Sequence, residues 1–201
     1  MFIGDAIGLD FLNSVAAPVD TRVEWIGSGA GLIDWLRQSG LVQESTLQKI
    51  ARSAGPGELD AVAAQARALR EWFREFVQAH MGTTLTRASV RELAPLNRLL
   101  ARDELFGQIV ADGNDASGPE LRFVDDRRWR SPESLLMPIA RAMAELVTST
   151  DFTHVKACEG NTCTLLFKDT TRGRKRRWCS MAVCGNRAKQ AAHRERSAHA
   201  K

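Results

Sequence analysis

The chain has 201 residues, 44% of them hydrophobic and 26% charged, with a formal net charge of +4. That balance supports a buried core and reads as soluble and globular, and the length admits a domain of about 150 residues plus a small appendage. No apolar run approaches membrane-spanning length, so a membrane role is not expected.

The modest total hides a division. Residues 1 to 155 carry a net charge of −5 and residues 156 to 201 a net of +9. The basic tail is of the kind that attracts polyanions. All four cysteines, Cys158, Cys163, Cys179 and Cys184, lie in that tail. The opening "MFIGDAIGLDFLNSV" lacks a basic leader region and is interrupted by Asp5 and Asp10, so no signal peptide is expected and the cytoplasm is the default compartment.

In chain order, "LDFLNSV" sets Leu9, Leu12 and Val15 at helical spacing, and "GLIDWLRQSGLV" forms a second short helix that stops at Gly40. After Pro56, the residues Leu59, Val62, Ala66, Leu69, Phe73, Phe76 and Val77 predict a long amphipathic helix ending at Gly82. Residues 86 to 101 suggest another, with Pro95 disturbing its start. The short runs "QIVA" and "LRFV" flank a Gly/Asn/Asp/Ser/Pro cluster and predict a hairpin with a longer loop. In "SPESLLMPIARAMAELVTS" a helix is expected with Ser131 as N-cap, Pro132 at its first position and a bend at Pro138. The composition shift near residue 151 marks a domain boundary.

The cysteines form two C-x4-C pairs, 158/163 and 179/184, separated by fifteen residues. Without a secretory leader such pairs suggest a tetrahedral Zn(II) site more than disulfides, while redox-active thiols or an open metal site stay in play on spacing alone. Gly160 and Asn161 fall where the first pair must turn, and Gly185 follows the last sulfur, where its N–H could support a thiolate. "TLLFKD" and "KRRWCS" are expected to pair as a hairpin between the cysteine pairs, with a helix following from an Asn186 N-cap. Phe167 and Trp178 would be the apolar plugs of a module too small to fold on burial alone. Structural zinc supplies roughly 10 to 16 kcal/mol in finger peptides, enough to fold it. His154, His193 and His199 are read as surface residues.

"CEGNTC", "LFKDTTRGRKRRWC" and "RRWCSMAVCGNR" together resemble the CGNR zinc finger, and "LDFLNS" with the helices after it is similar to the domain that precedes that finger in bacterial stress-induced transcription regulators. The resemblance covers essentially the whole chain and is sharpest at Cys184, Gly185, Asn186 and Arg187. Where family members often carry an aromatic residue beyond the motif, this chain has Ala192 and His193. The resemblance implies a mainly α (α+β) protein. Residues 1 to 150 would be a mostly helical domain with a small hairpin, and residues 152 to 201 a four-cysteine finger of hairpin and helix, binding one structural zinc through those cysteines. It also implies that the finger binds DNA.

Arg172, Arg174, Lys175, Arg176 and Arg177 form a cationic run, and Arg187, Lys189 and Arg194 lie on the last helix. These are the expected nucleic-acid contacts, through counterion release and then groove-edge readout. The same run could instead balance the acidic N-terminal portion, with Arg176 or Arg177 as structural neighbours of the sulfurs. Asp10 and Asn13, one helical turn apart, could orient a small-molecule effector or simply satisfy buried backbone groups. Three functions follow as expectations: a DNA-binding regulator, a zinc-dependent protein-interaction module, or an enzyme seated in the N-terminal domain. No phosphate loop, metalloprotease helix or paired carboxylates favour the last. A homodimer is left open.

Overall fold

A computed structural model of the chain describes residues 2–17, 21–112 and 120–199. Helix α1 (Ile7–Leu12) is buried on nearly every side, as its run of Gly8, Leu9, Phe11 and Leu12 dictates, and packs against α7 (Leu136–Ser149), the long helix α4 (Glu58–His80) and a strand of the C-terminal module. Helix α2 (Gly29–Ser39) starts at Ser28, whose side chain accepts from the Gly31 N–H, and stops at Gly40 in the left-handed conformation. The amphipathic α4 buries Val62, Ala66, Phe73, Phe76 and Val77. Together these helices enclose one apolar core.

Two elements escape the periodic reading. Helix α3 (Glu44–Ser53) buries only Leu47 and Ile50 and is otherwise polar. Strands β1 (Val15–Ala16) and β2 (Val23–Glu24) are two-residue pieces, too short for any alternation to show. At Pro95 the expected helix divides into α5 (Ser89–Glu92) and α6 (Ala94–Leu100), because proline has no N–H to offer the carbonyl one turn back. Ser131 and Pro132 open a 3-10 turn (Pro132–Leu135) before α7, and Ser131 makes no side-chain cap. Pro138 then falls in the first turn of α7, where its missing N–H has no helical partner to lose, so the expected bend has no cause.

Strands β3 (Leu105–Asp112) and β4 (Glu120–Arg127) pair antiparallel from Leu105↔Arg127 to Asp112↔Glu120 as a two-stranded ribbon. The expected loop cluster between them, residues 113 to 119, lies outside the described residues. After α7 the chain makes strands β5 (Val155–Ala157) and β6 (Leu166–Lys168), paired antiparallel, and ends in α8 (Asn186–His199). Mainly helical, with small antiparallel hairpins and a terminal four-cysteine cluster, the chain is of the α+β class.

Alternation along β6 places Leu166 in the main core and Phe167 in a second, smaller apolar cluster with Leu165, Cys158, Cys179 and Cys184. Ala16, Ile3 and Trp25 from the N-terminal part pack into that second cluster too. The cysteine module is therefore docked against the helical portion through a shared strand.

Candidate metal centre and its basic surround

The hairpin β5–β6 closes around the first cysteine pair. Cys158 continues β5, with its N–H donating to the Leu165 carbonyl at 2.9 Å, and the Cys163 N–H closes the turn on the Gly160 carbonyl at 3.0 Å. The sequence expectation of a hairpin between the two pairs is thus corrected: "KRRWCS" forms no strand, and the partner of "LFK" is "VKA". A backbone bond from the Glu159 N–H to the Arg177 carbonyl at 2.9 Å brings the second pair alongside the first.

Cys179 and Cys184 both precede the last helix. A single π-helical turn, Met181–Gly185, precedes α8, so Asn186 is helical rather than an N-cap, and its side-chain amide donates back to the Ala182 carbonyl at 3.1 Å. Gly185 also departs from expectation. Its N–H donates to the Ser180 carbonyl at 3.1 Å, and the Met181 side chain lies over it, with the sulfur 2.3 Å from where a Cβ would stand. Gly160 is more tightly held in the first pair, where a Cβ would lie 3.1 Å from Cys163 Cβ and 3.2 Å from Cys184 Sγ.

All four sulfurs lie within 4.8 Å of one another, with Cys163 Sγ and Cys184 Sγ each 3.7 Å from Cys179 Sγ, and none is in a disulfide. A tetrahedron with Zn–S distances of about 2.3 Å has sulfur–sulfur edges of about 3.8 Å. Backbone N–H groups of Gly160 and Cys179 reach Cys158 Sγ at 3.4 and 3.3 Å, the orientation that supports a thiolate ligand. The donor set, its spacing and its backbone support all fit a tetrahedral soft-metal site.

Electrostatics give the same answer. A hydrogen bond from Cys179 draws the Cys163 thiol down to about 5, and that contact together with burial pushes the Cys179 thiol far up. Burial lifts the Cys184 thiol to about 11. Sulfurs packed this tightly cannot all ionise without a compensating cation. Among the described residues no histidine belongs to the cluster: His154 pairs with Asp151 at 3.0 Å, His193 is exposed, and the His199 side chain lies outside the described residues.

The basic run separates into different roles. Arg176 is turned inward: it donates to the Trp178 carbonyl at 2.9 Å and to the Cys179 carbonyl, pairs with Asp5, and lies over the Phe167 ring at 4.3 Å. Arg177 pairs with Glu159 at 2.6 Å and stacks by Trp178. Arg172, Arg174 and Lys175 are exposed on a loop, Arg174 with its guanidinium donating to the Asp169 carbonyl; Lys189 and Arg194 are exposed on α8, and Arg187 is half-buried. Arg187 and Arg194 line a slot of about 380 Å³ between α8 and the turn of residues 159 to 163.

What organises the loop is Asp169, absent from the sequence expectations. Fully buried, its carboxylate accepts from Lys156 Nζ at 2.7 Å, from the Thr171 hydroxyl at 2.6 Å and from the N–H groups of Thr171 and Arg176 at 3.0 and 2.9 Å. Burial opposes its charge, but those bonds outweigh burial and hold its carboxyl far below the usual range. The motif "KDTT" carried the signal, an aspartate with a hydroxyl residue two places on.

Asp10 and Asn13 have protein partners. One Asp10 oxygen accepts from the N–H groups of Ile3 and Gly4, both at 2.8 Å, although burial still raises its carboxyl. Asn13 mimics a strand: its amide donates to the Leu166 carbonyl at 2.8 Å and accepts from the Leu166 N–H at 2.9 Å. It is a joint between α1 and β6.

This geometry defines the class first: a small module organised by four cysteines, carrying a π-turn and a basic helix, docked on a helical body. Comparison with family models then gives two matches. Residues 154–197 match the CGNR zinc finger, and residues 5–150 match the model described as "Putative stress-induced transcription regulator". The chain belongs to that regulator family and carries the finger at its C-terminal end. A search of curated proteins gave no match. Among the described residues no helix is long and apolar enough to cross a membrane.

Proposed function

We propose that the chain is a cytoplasmic DNA-binding transcription regulator in which Cys158, Cys163, Cys179 and Cys184 hold one structural zinc ion and residues 152 to 201 act as the DNA-contacting unit. The observation that carries this reading is the Asp169-pinned loop, which projects Arg172, Arg174 and Lys175 while α8 carries Lys189 and Arg194 exposed on the same module. Zinc contributes no catalysis in this reading. Its charge allows four thiolates to coexist, and its bonds replace the apolar burial that so small a module lacks.

Arg176 belongs to the scaffold in this account, because its guanidinium is already committed to Asp5 and to backbone carbonyls. Arg177 is partly offset by Glu159. Phosphate contact then falls first to Arg172, Lys175, Lys189 and Arg194, with Arg187 at the slot and Arg174 through the part of its guanidinium not engaged with the Asp169 carbonyl. Binding of this kind weakens steeply with salt. Titration of the zinc-loaded chain with duplex DNA at several salt concentrations tests it. Reversing Arg172 and Lys175 together should lower the magnitude of the slope of log K against log salt by about 2, since each phosphate contact contributes about 0.9. An unchanged slope would reject those two contacts, and no salt-dependent binding at all would reject the function.

A second reading, a zinc-dependent protein-interaction module, draws on the docking itself: Arg176 already meets the acidic N-terminal part through Asp5. Binding of a partner protein that persists in the presence of excess DNA would favour it.

A further inference from the structure

We propose that the β3–β4 ribbon is a self-association arm, whose outward apolar face packs against the same face of a second copy of this chain. The ribbon is eight residue pairs long, has no third strand among the described residues, and makes its extensive contacts only between its own two strands. Two strands on their own are marginal in water and gain stability from a cover on an apolar face.

The face is defined by register. Ile109 stands opposite Phe123, Ala111 opposite Leu121 and Leu105 opposite Arg127, so alternation puts Leu105, Ile109, Leu121 and Phe123 on one side. Ile109 and Leu121 are each 71% exposed, Phe123 69% and Leu105 41%. The Phe123 ring lies across Gly107, where a Cβ would come within 2.3 Å of it, so it covers the glycine on the same face. The other side of the ribbon, with Phe106, Val110 and Val124 half-buried, faces the opposite way. Single exposed apolar residues need no explanation, but a contiguous group of four on a regular ribbon marks an interface.

The face also narrows the occupant. Its charged members sit at the end nearer the body: Arg127, already paired with Asp103 at 2.6 Å, and Asp125, opposite Gly107. From Ile109 and Phe123 outward to Ala111 and Leu121 it carries no charge and offers nothing to a polyanion. Its counterpart must be apolar and of similar length, which an identical face satisfies without any further matching, as two-fold contacts do. Area bounds the interface without fixing its affinity. Side chains of roughly 150 to 200 Å² each, exposed as stated, would remove on the order of 400 to 500 Å² per copy. Doubled, this is below the standard interface of about 1,600 Å², which places the dimer among weak, reversible associations. The inference stands apart from the DNA reading and does not need it.

Sedimentation equilibrium of the full zinc-loaded chain, run across the micromolar range, tests it. The apparent mass should rise with concentration from that of one chain, 22.2 kDa, and level off at twice that value. The double variant Ile109→Glu, Phe123→Glu should stay at one chain throughout with unchanged helical signal and zinc content. The milder Leu121→Ser should raise the dissociation constant several-fold and covers the case of a misfolded double variant. A chain that remains single at all concentrations, a dimer that neither change weakens, or growth past two copies without levelling would overturn the assignment.

Discussion

Asp169 shows how one side chain can decide what a loop presents. Its buried carboxylate gathers Lys156, Thr171 and the Arg176 N–H. Replacing it with Asn keeps the shape but gives up charge-assisted bonds worth roughly 1.5 to 3 kcal/mol. Chemical denaturation at neutral pH should register that loss, and DNA affinity should fall with it as the loop is freed. The pH dependence has a definite sign. Because the folded carboxyl is held low, its contribution is complete above the ordinary carboxylate value of about 4 and drains away as pH falls below it. Asp169→Asn should lack that acid-side slope. Asp10 runs the other way: its carboxyl is raised by burial, so its contribution is present below the ordinary value and is lost as pH climbs through the raised one. Asp10→Asn, which can still accept from Ile3 and Gly4, should therefore be neutral or stabilising at pH 7, and a clear destabilisation by denaturant titration would contradict the assigned cause. At this scale the sequence revealed the sulfurs by their spacing but hid Asp169, since a buried carboxylate among lysines and arginines reads like any surface charge.

Elements were legible in proportion to their periodicity. The length of α4 followed from a sustained apolar stripe, whereas α3 buries too few positions to show one. The finger hairpin was misplaced because "VKA" is too brief to show as a strand, and pairing is chosen by the turn at Gly160 rather than by strand propensity. That turn makes a prediction. Gly160→Val would drive side-chain atoms into Cys163 and Cys184, so it should lower zinc affinity markedly, by about tenfold or more on the scale of changes around metal ligands, measured by chelator competition. The ribbon β3–β4 was expected as a hairpin, but its exposed apolar side became visible only with the register, because in the sequence its alternation predicts a buried face.

At the scale of the whole molecule, the finger and the helical body are joined by backbone pairing that runs through Asn13. Its amide and the Leu166 backbone satisfy each other, the Lys168 N–H donates to the Gly4 carbonyl at 2.8 Å, and Leu166 reaches the main core. Asn13→Ala would leave two buried backbone groups unpaired, at roughly 1 to 3 kcal/mol each. It should loosen the finger's docking while zinc stays bound, which hydrogen exchange at β6 would report. The charge division along the chain pointed to two parts. It could not show this joint, because residues 13 and 166 meet only once the body and the finger are both folded.

The account depends most on one ion gathering the four sulfurs of Cys158, Cys163, Cys179 and Cys184. X-ray absorption spectroscopy of the purified chain, together with its metal content, tests this directly. One zinc per chain with four sulfur neighbours at about 2.3 Å is the expected result. A chain without stoichiometric metal, or a metal whose neighbours include nitrogen or oxygen, would contradict it.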